Sequence, residues 1–207
     1  MRRWIGYVLG GAIALALLAA VLSQLLLPSL IEDEIEQRLT AEGGSAAASV
    51  SAFPAARLLV NDGGSVLVSG NDLDFPLDEE IDSGAFDRLD GFERVEIELA
   101  DFTAGPFAID SLSLRREGEG PYELDSSGQT DARQLARYGA DFLDVPGAGL
   151  LGFLPGDLGT EPVPIELDME LASEDGRIVV TSGESRIAGF STGPLAQLIT
   201  AAIVVRL

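Results

Sequence analysis

Arginine side chains are the only cations in this 207-residue chain, so they are the first candidates for binding an anion. Arg115 and Arg116 are adjacent, and Arg133 and Arg137 lie one helical turn apart. A guanidinium donates paired hydrogen bonds to a phosphate, which makes each pair a head-group candidate. The alternative is that both pairs neutralise an acidic surface.

Carboxylates are the second group with chemical potential, because the chain has 34 of them. The segment 72–82 is rich in aspartate and glutamate, whose oxygens are ligands for calcium. The spacing of an EF-hand loop is absent there, which favours a solvated acidic loop. Two carboxylates in one cleft would permit glycoside hydrolysis, but the sequence does not single out a pair.

Histidine, lysine and cysteine are all absent from the chain. Their absence excludes serine–histidine–aspartate and cysteine–histidine catalysis, Schiff-base chemistry, a phosphate-loop lysine and a zinc site with cysteine or histidine ligands. The pI near 4.1 argues against nucleic acid, which needs a basic surface. The composition therefore favours a binding protein that is not an enzyme and has no cofactor or metal.

A glycine-rich loop is the third candidate site. Gly147–Gly152 fits the G-x-G-x-x-G pattern, but Pro146 and Pro155 flank it, whereas dinucleotide binding needs a strand before the pattern and a helix through it. The loop carries bulky apolar side chains, which either plug the core or form a lip that contacts lipid. These lipid-contact candidates are Leu150, Leu151, Phe153 and Leu154.

The N-terminal segment predicts how the chain is held in place. Trp4 to Leu27 is a run of 24 uncharged residues, which as a helix is long enough to cross a hydrocarbon core of roughly 30 Å. Arg2 and Arg3 precede the run and acids follow it, so we expect the N-terminus in the cytoplasm and the rest outside. A cleavable signal sequence is the alternative. Small residues at i and i+4 in the run also permit a homodimer through this helix.

Three regions follow from these features. Residues 1–27 form the cytoplasmic stub and transmembrane anchor, or a signal sequence; residues 28–43 form an acidic amphipathic connecting helix; and residues 44–207 form an exported α+β domain. Ser29 is the expected N-cap of the connecting helix, with Glu32 completing a capping box. Residues 28–207 contain 11 arginines and all 34 acids, a net charge of −23.

Alternation of apolar and polar residues predicts strands beyond Gly44. The pattern is clearest at 95–99 and 163–171, and it shifts parity near Asp110 and Ser111, which predicts a β-bulge. We expect a curved, mainly antiparallel sheet packed with a few helices. Thr130 is the expected N-cap of a helix from Asp131 to about Leu143, and 195–205 predicts a buried helix, with an interfacial helix as the alternative. The remaining predicted strands are 47–53, 64–69, 107–115, 121–126 and 177–183.

The layout resembles the actinobacterial LmeA-like family of envelope phospholipid-binding proteins. The points of similarity are the anchor, the acidic helix 31–39, the segment 50–59 with Phe53 followed by Pro54, and the strand 92–97. The alanines after Pro54 and the very acidic composition depart from the family pattern. The resemblance implies an exported protein that binds phospholipid in a cell envelope, and it carries over no catalytic residue.

The leading hypothesis is a single-pass protein of the cell membrane whose periplasmic, extracytoplasmic domain binds phospholipid or another lipid in an apolar cavity. Its expected partners are the membrane and a lipid. The first alternative is a structural or scaffolding ectodomain that binds another envelope protein. The second is a carboxylate-dependent hydrolase.

Overall fold

The structure of the protein is a computed structural model that describes residues 2–76, 86–131, 162–174, 177–187, 190–191 and 204. At 2–17, 19–20, 177–178, 184–187 and 190–191 it describes the backbone alone. Among the described residues, no helix is both long enough and apolar enough to cross a membrane. The predicted anchor depends on side chains that lie mostly outside this description, so it stays a prediction.

The described residues form one long helix followed by a sheet, with two short helical turns and a helical position at Val204. The helices are α1 (Arg2–Leu39) and α2 (Asp87–Asp90), and a 3₁₀ helix spans Ala55–Val60. The strands are β1 (Ser45–Ser51), β2 (Gly63–Asn71), β3 (Asp74–Phe75), β4 (Phe92–Ala104), β5 (Phe107–Glu117), β6 (Tyr122–Asp131), β7 (Pro162–Glu174), β8 (Arg177–Ile187) and β9 (Phe190–Ser191).

The nine strands form a single sheet in the order β1-β2-β4-β5-β6-β7-β8-β9, with β3 beside β4. Neighbouring strands are antiparallel, except that β2 and β3 each run parallel to β4. A parallel pair needs a long crossover, and residues 72–91 supply it between β2 and β4. The α+β class and the mainly antiparallel sheet are therefore confirmed. The sequence did not predict the parallel pairing of β2 and β3 with β4.

One face of the sheet forms the core and the other is polar, as the alternation predicts. Along β4 the residues Val95, Ile97 and Leu99 are at most 3% exposed, while Glu98 between them faces solvent. The same pattern continues through β7, where Ile165, Leu167, Met169 and Leu171 are buried. The apolar face therefore extends across the middle of the sheet.

The C-terminal part of α1 packs on the edge strand β1. Ile35 and Leu39 are buried in the core. On the same helix, Glu32 accepts a hydrogen bond from the backbone N–H of Val50 at 2.7 Å, and Glu36 accepts one from Ala48 at 2.9 Å. Glutamates four apart on a helix match alternate N–H groups of a strand, because both spacings are about 6 to 7 Å. Two acids of α1 therefore cover part of the free edge of the sheet.

Two predicted helix caps are wrong. Ser29 lies inside α1, which continues through Pro28, and its hydroxyl donates to the carbonyl of Leu26 at 3.1 Å. Thr130 belongs to β6, is buried, and donates to the carbonyl of Pro106 at 2.9 Å. Ser29 therefore bonds within a continuing helix, and Thr130 bonds across to the turn between β4 and β5, instead of starting a new helix.

The β-bulge is confirmed, because Ile109 pairs with Gly128 and Ser111 with Ser127, which leaves Asp110 as the extra residue. The expected helix after Thr130 lies outside the described residues, apart from Asp131 at the end of β6. The expected helix 195–205 is described only at Val204, which is helical and fully buried.

Candidate functional site

The larger described cleft, about 590 Å³, lies where α2 and the start of β4 meet the hairpin between β5 and β6. The hairpin turn contributes Gly118, Gly120 and Pro121, and the end of β7 contributes Ser173. Acidic side chains are the commonest charged groups around it. The lining acids are Asp62, Asp90, Glu93 and Glu119, against Arg57 and Arg116.

Arg116 forms the floor of this cleft and is only 7% exposed. Its Nη2 donates to the backbone carbonyls of Leu89, Asp90 and Phe92 at 2.5 to 3.1 Å, and its Nη1 donates to the Asp90 carboxylate at 3.2 Å. A cation placed at the carbonyl end of a helical turn also offsets the partial negative charge there. The guanidinium of Arg116 therefore ties α2 to the sheet.

Asp90 accepts hydrogen bonds from three donors and links the buried Arg116 and Tyr122 to the partly exposed Ser173. The Tyr122 hydroxyl donates to its Oδ1 at 2.9 Å, and the Ser173 hydroxyl donates to its Oδ2 at 2.5 Å. The Tyr122 ring lies 4.6 Å from the centre of the Arg116 guanidinium and packs edge-on against Phe86. Burial raises the pKa of Tyr122 far above its ordinary value; the charge of Arg116 opposes this shift and Asp90 adds to it.

The rim of the cleft carries a second arginine that is already paired. Arg57 donates from Nε and Nη2 to the two carboxylate oxygens of Asp62 at 2.9 and 2.7 Å. This pairing lowers the pKa of Asp62 and raises that of Arg57. Both arginines of the cleft are therefore already bonded to carboxylates of the chain, and the remaining acids at the rim repel an anion. The cleft is poorly suited to a phosphate.

The structure separates Arg115 from Arg116 although they are neighbours in β5. Arg116 faces the core, whereas Arg115 lies on the polar face and is paired with Glu98. This hydrogen bond, with the charges of Glu96 and Asp125, raises the pKa of Arg115. Consecutive residues of a strand point to opposite faces, so the two guanidiniums cannot grip one phosphate together. Arg133 and Arg137 lie outside the described residues.

The polar face of the sheet places acids directly opposite each other on neighbouring strands. Glu123 pairs in register with Glu170, and Asp125 with Asp168. Like charges in such positions destabilise a sheet. A shallow depression of about 420 Å³ adjoins this face and includes Ser113, whose hydroxyl is buried without a hydrogen-bond partner among the described residues. The repulsion between the opposed acids of this face therefore lowers the stability of the folded sheet.

Exposed apolar side chains gather elsewhere, on α1 and on the loop that follows β1. Of the ten large apolar side chains that are exposed in the described residues, nine lie in these two segments. Gln24 joins the segments: its Nε2 donates to the carbonyl of Ala52, and its Oε1 accepts from the N–H of Ala55, both at 2.8 Å. The nine are Leu18, Val21, Leu22, Leu25, Leu26, Leu30, Phe53, Leu59 and Val60.

The other predicted sites are described only in part. Leu150, Leu151, Phe153 and Leu154 lie outside the described residues, as does 77–82 of the acidic segment. The described part of that segment forms β3 and buries Leu73 and Phe75. No group of three or more acids suited to a metal ion occurs in the residues that the structure describes.

Comparison with known proteins found no matching family model, no matching curated protein and no matching solved structure. The resemblance to the LmeA-like family therefore stays a prediction from the sequence.

Sequence reasoning missed the structural roles of Gln24, Glu36 and Asp90, and it assigned Glu32 to a helix cap, whereas Glu32 accepts the N–H of Val50. Gln24 carried the clearest signal, because it is the one amide in the uncharged run. The two glutamates lie one helical turn apart, on the side of the helix that carries Ile31 and Ile35. Nothing in the local sequence distinguishes Asp90 from the other acids.

Proposed function

We propose that residues 4–27 of α1 anchor this protein in the membrane, and that its extracytoplasmic α+β domain binds phospholipid or another lipid. The observation that carries the proposal is the exposure of α1. Six large apolar side chains between Leu18 and Leu30 are 46 to 68% exposed. They belong to a stretch that has no charged residue from Trp4 to Ile31.

Water is an unfavourable environment for such a helix. Apolar surface costs about 25 cal/mol for each Å² left in water, and large contiguous apolar patches mark contact with a membrane or a partner. A bilayer covers the whole circumference of the helix, whereas a protein partner covers one side. Lipid is therefore the partner that best fits an uncharged run of 24 residues.

The sheet supports lipid binding by the domain itself. A sheet with one apolar face, curved around a ligand, encloses acyl chains without exposing them to water. The net charge of −23 over residues 28–207 repels an anionic head group, and the arginines of the described cleft are already paired. Binding should therefore depend on acyl-chain burial, with Leu151 and Phe153 as the predicted contacts.

The test is bound lipid in the full-length protein. We expect phospholipid to remain with the protein through purification in detergent and to appear as a mass increment in native mass spectrometry. Leu151→Glu with Phe153→Glu should reduce the bound fraction. Leu67→Glu, on the polar face of β2, is the control that should leave it unchanged. A wild-type chain that holds no lipid and takes none from vesicles would overturn the proposal.

A second candidate is a scaffolding domain that binds another envelope protein through the acidic face. The opposed pairs Glu123 with Glu170 and Asp125 with Asp168 favour it, because a basic partner would relieve their repulsion. Photo-crosslinking in cells from position 168, with position 110 as the control, tests this function. A protein captured equally from both positions would argue against it.

A further inference from the structure

We infer that the loop after β1 is seated in the surface of the bilayer beside α1, so that the domain rests on the membrane. Its contact surface is an apolar collar, defined as Leu22, Leu25 and Leu26 of α1 with Phe53, Leu59 and Val60 of the loop. This inference rests on the proposed anchor but is independent of whether the domain binds a lipid ligand.

The depth of the loop is set by hydrogen bonds to α1. Gln24 contacts the backbone at Ala52 and Ala55, on both sides of Phe53. At about 1.5 Å per residue, Gln24 lies roughly 4.5 Å along the helix from Leu27, where the uncharged run ends. A loop bonded at this level lies at the membrane surface whenever the run occupies the membrane.

No flexible linker loosens this geometry. α1 is continuous from Arg2 to Leu39, and its Ile35 and Leu39 are buried in the core of the domain. The helix that enters the membrane is therefore the same rigid element that packs against β1. The position of the anchor along its axis determines the position of the loop.

The loop exposes large apolar side chains, as contact with a membrane surface requires. Phe53, Leu59 and Val60 are 83, 70 and 74% exposed, respectively. Two polar side chains of this region are paired: the Gln24 amide bonds with backbone groups, and Arg57 bonds with Asp62. Pairing matters here because an unsatisfied polar group is costly away from water.

The bilayer fits this surface better than a second copy of the chain. The α1 residues of the collar lie at the end of the uncharged run, and the first acid of α1 is Glu32, about 12 Å along the helix from Gln24. A bilayer surrounds the helix, so it covers the apolar side chains on every side and leaves the acids in water. A second copy would bring another domain of charge −23 against the first.

The experiment places a single tryptophan in the collar of the full chain. Trp4 is the only native tryptophan, so Trp4→Phe provides a background without tryptophan emission. Phe53→Trp in this background is incorporated into phosphatidylcholine vesicles with brominated acyl chains, which quench nearby tryptophan. Leu67→Trp in the same background is the control, because position 67 lies on the polar face of β2.

We expect Phe53→Trp to lose most of its emission in brominated vesicles and to emit at shorter wavelength, while Leu67→Trp keeps its intensity. Equal intensities for the two variants, with Trp4 of the native chain quenched, would overturn the seated loop and leave the anchor intact. A native Trp4 that is not quenched would overturn both. A shift to shorter wavelength without quenching would show that protein covers Phe53, which also rejects the inference.

Discussion

Replacing Glu32 with alanine tests whether the acids of α1 hold the edge strand β1 in place. Glu32 accepts the N–H of Val50 at 2.7 Å, and Glu36 accepts that of Ala48 at 2.9 Å. These N–H groups lie on the edge of β1 that faces away from β2. Without the carboxylate, the half-buried N–H of Val50 loses its partner next to a packed helix.

The expected cost follows from the type of bond. A hydrogen bond to a charged group contributes about 1.5 to 3 kcal/mol, and the partial exposure of Glu32 favours the lower end, about 1.5 to 2 kcal/mol. For a chain of this size, that loss lowers the melting temperature by roughly 3 to 8 °C. Glu32→Gln keeps a neutral acceptor and should cost about half as much.

The assay is thermal unfolding of the full chain in detergent, followed by the circular dichroism of the sheet. Glu34→Ala is the matched control, because it makes the same change on an exposed face of α1 and removes only an ion pair with Arg38, worth about 0.3 to 0.5 kcal/mol. Equal melting temperatures for Glu32→Ala and Glu34→Ala would refute the reasoning. A Glu32→Gln variant as unstable as Glu32→Ala would show that the charge matters more than the acceptor.

Three further predictions concern the cleft and the acidic face. Arg116→Lys should cost about 2 to 4 kcal/mol in denaturant unfolding, because an ammonium cannot reach the three carbonyls, whereas Arg115→Lys next to it should leave the midpoint unchanged. Since burial raises the pKa of Tyr122, stability should be full below pH 10, where unfolded tyrosine is protonated, and fall at higher pH. The chain has no lysine, so no lysine titrates in this pH range, and the tyrosinate absorbance of Tyr122 should rise together with unfolding; normal titration of all three tyrosines in the folded protein would contradict this. Asp168→Asn should stabilise the domain by about 0.2 to 1 kcal/mol at low salt, and less at high salt, by removing repulsion with the acid opposite. Asp110→Asn is its control, and an equal gain from both variants would point to net charge alone.

The strands could be predicted because their signal is local. Val95, Ile97 and Leu99 alternate with acids, and a residue's face in a strand depends only on whether its position is odd or even. The bulge at Asp110 was predictable for the same reason, since an extra residue reverses the parity. The caps at Ser29 and Thr130 were wrong because a hydroxyl near a helix signal also bonds to a carbonyl of a continuing helix, as Ser29 does, or of a turn distant in sequence, as Thr130 does.

The candidate site was largely beyond the sequence. Arg115 and Arg116 appeared equivalent, and only the pairing of β5 with β4 and β6 placed one with Glu98 and the other beneath Asp90. The parallel pairing of β2 with β4 was also hidden, because alternation along a strand does not specify the direction of its neighbour.

The sequence by itself determined the chemistry that this protein lacks, its acidic character, its uncharged N-terminal run and the two faces of its sheet. These properties depend on residue types and on short periodicities that every local segment carries. Only the tertiary structure decided that Gln24 bonds with the loop at Phe53, that Glu32 and Glu36 cover the edge of β1, and that acids face each other between β6 and β7. Such contacts join residues far apart in the chain, and their positions follow from strand register and helix packing together.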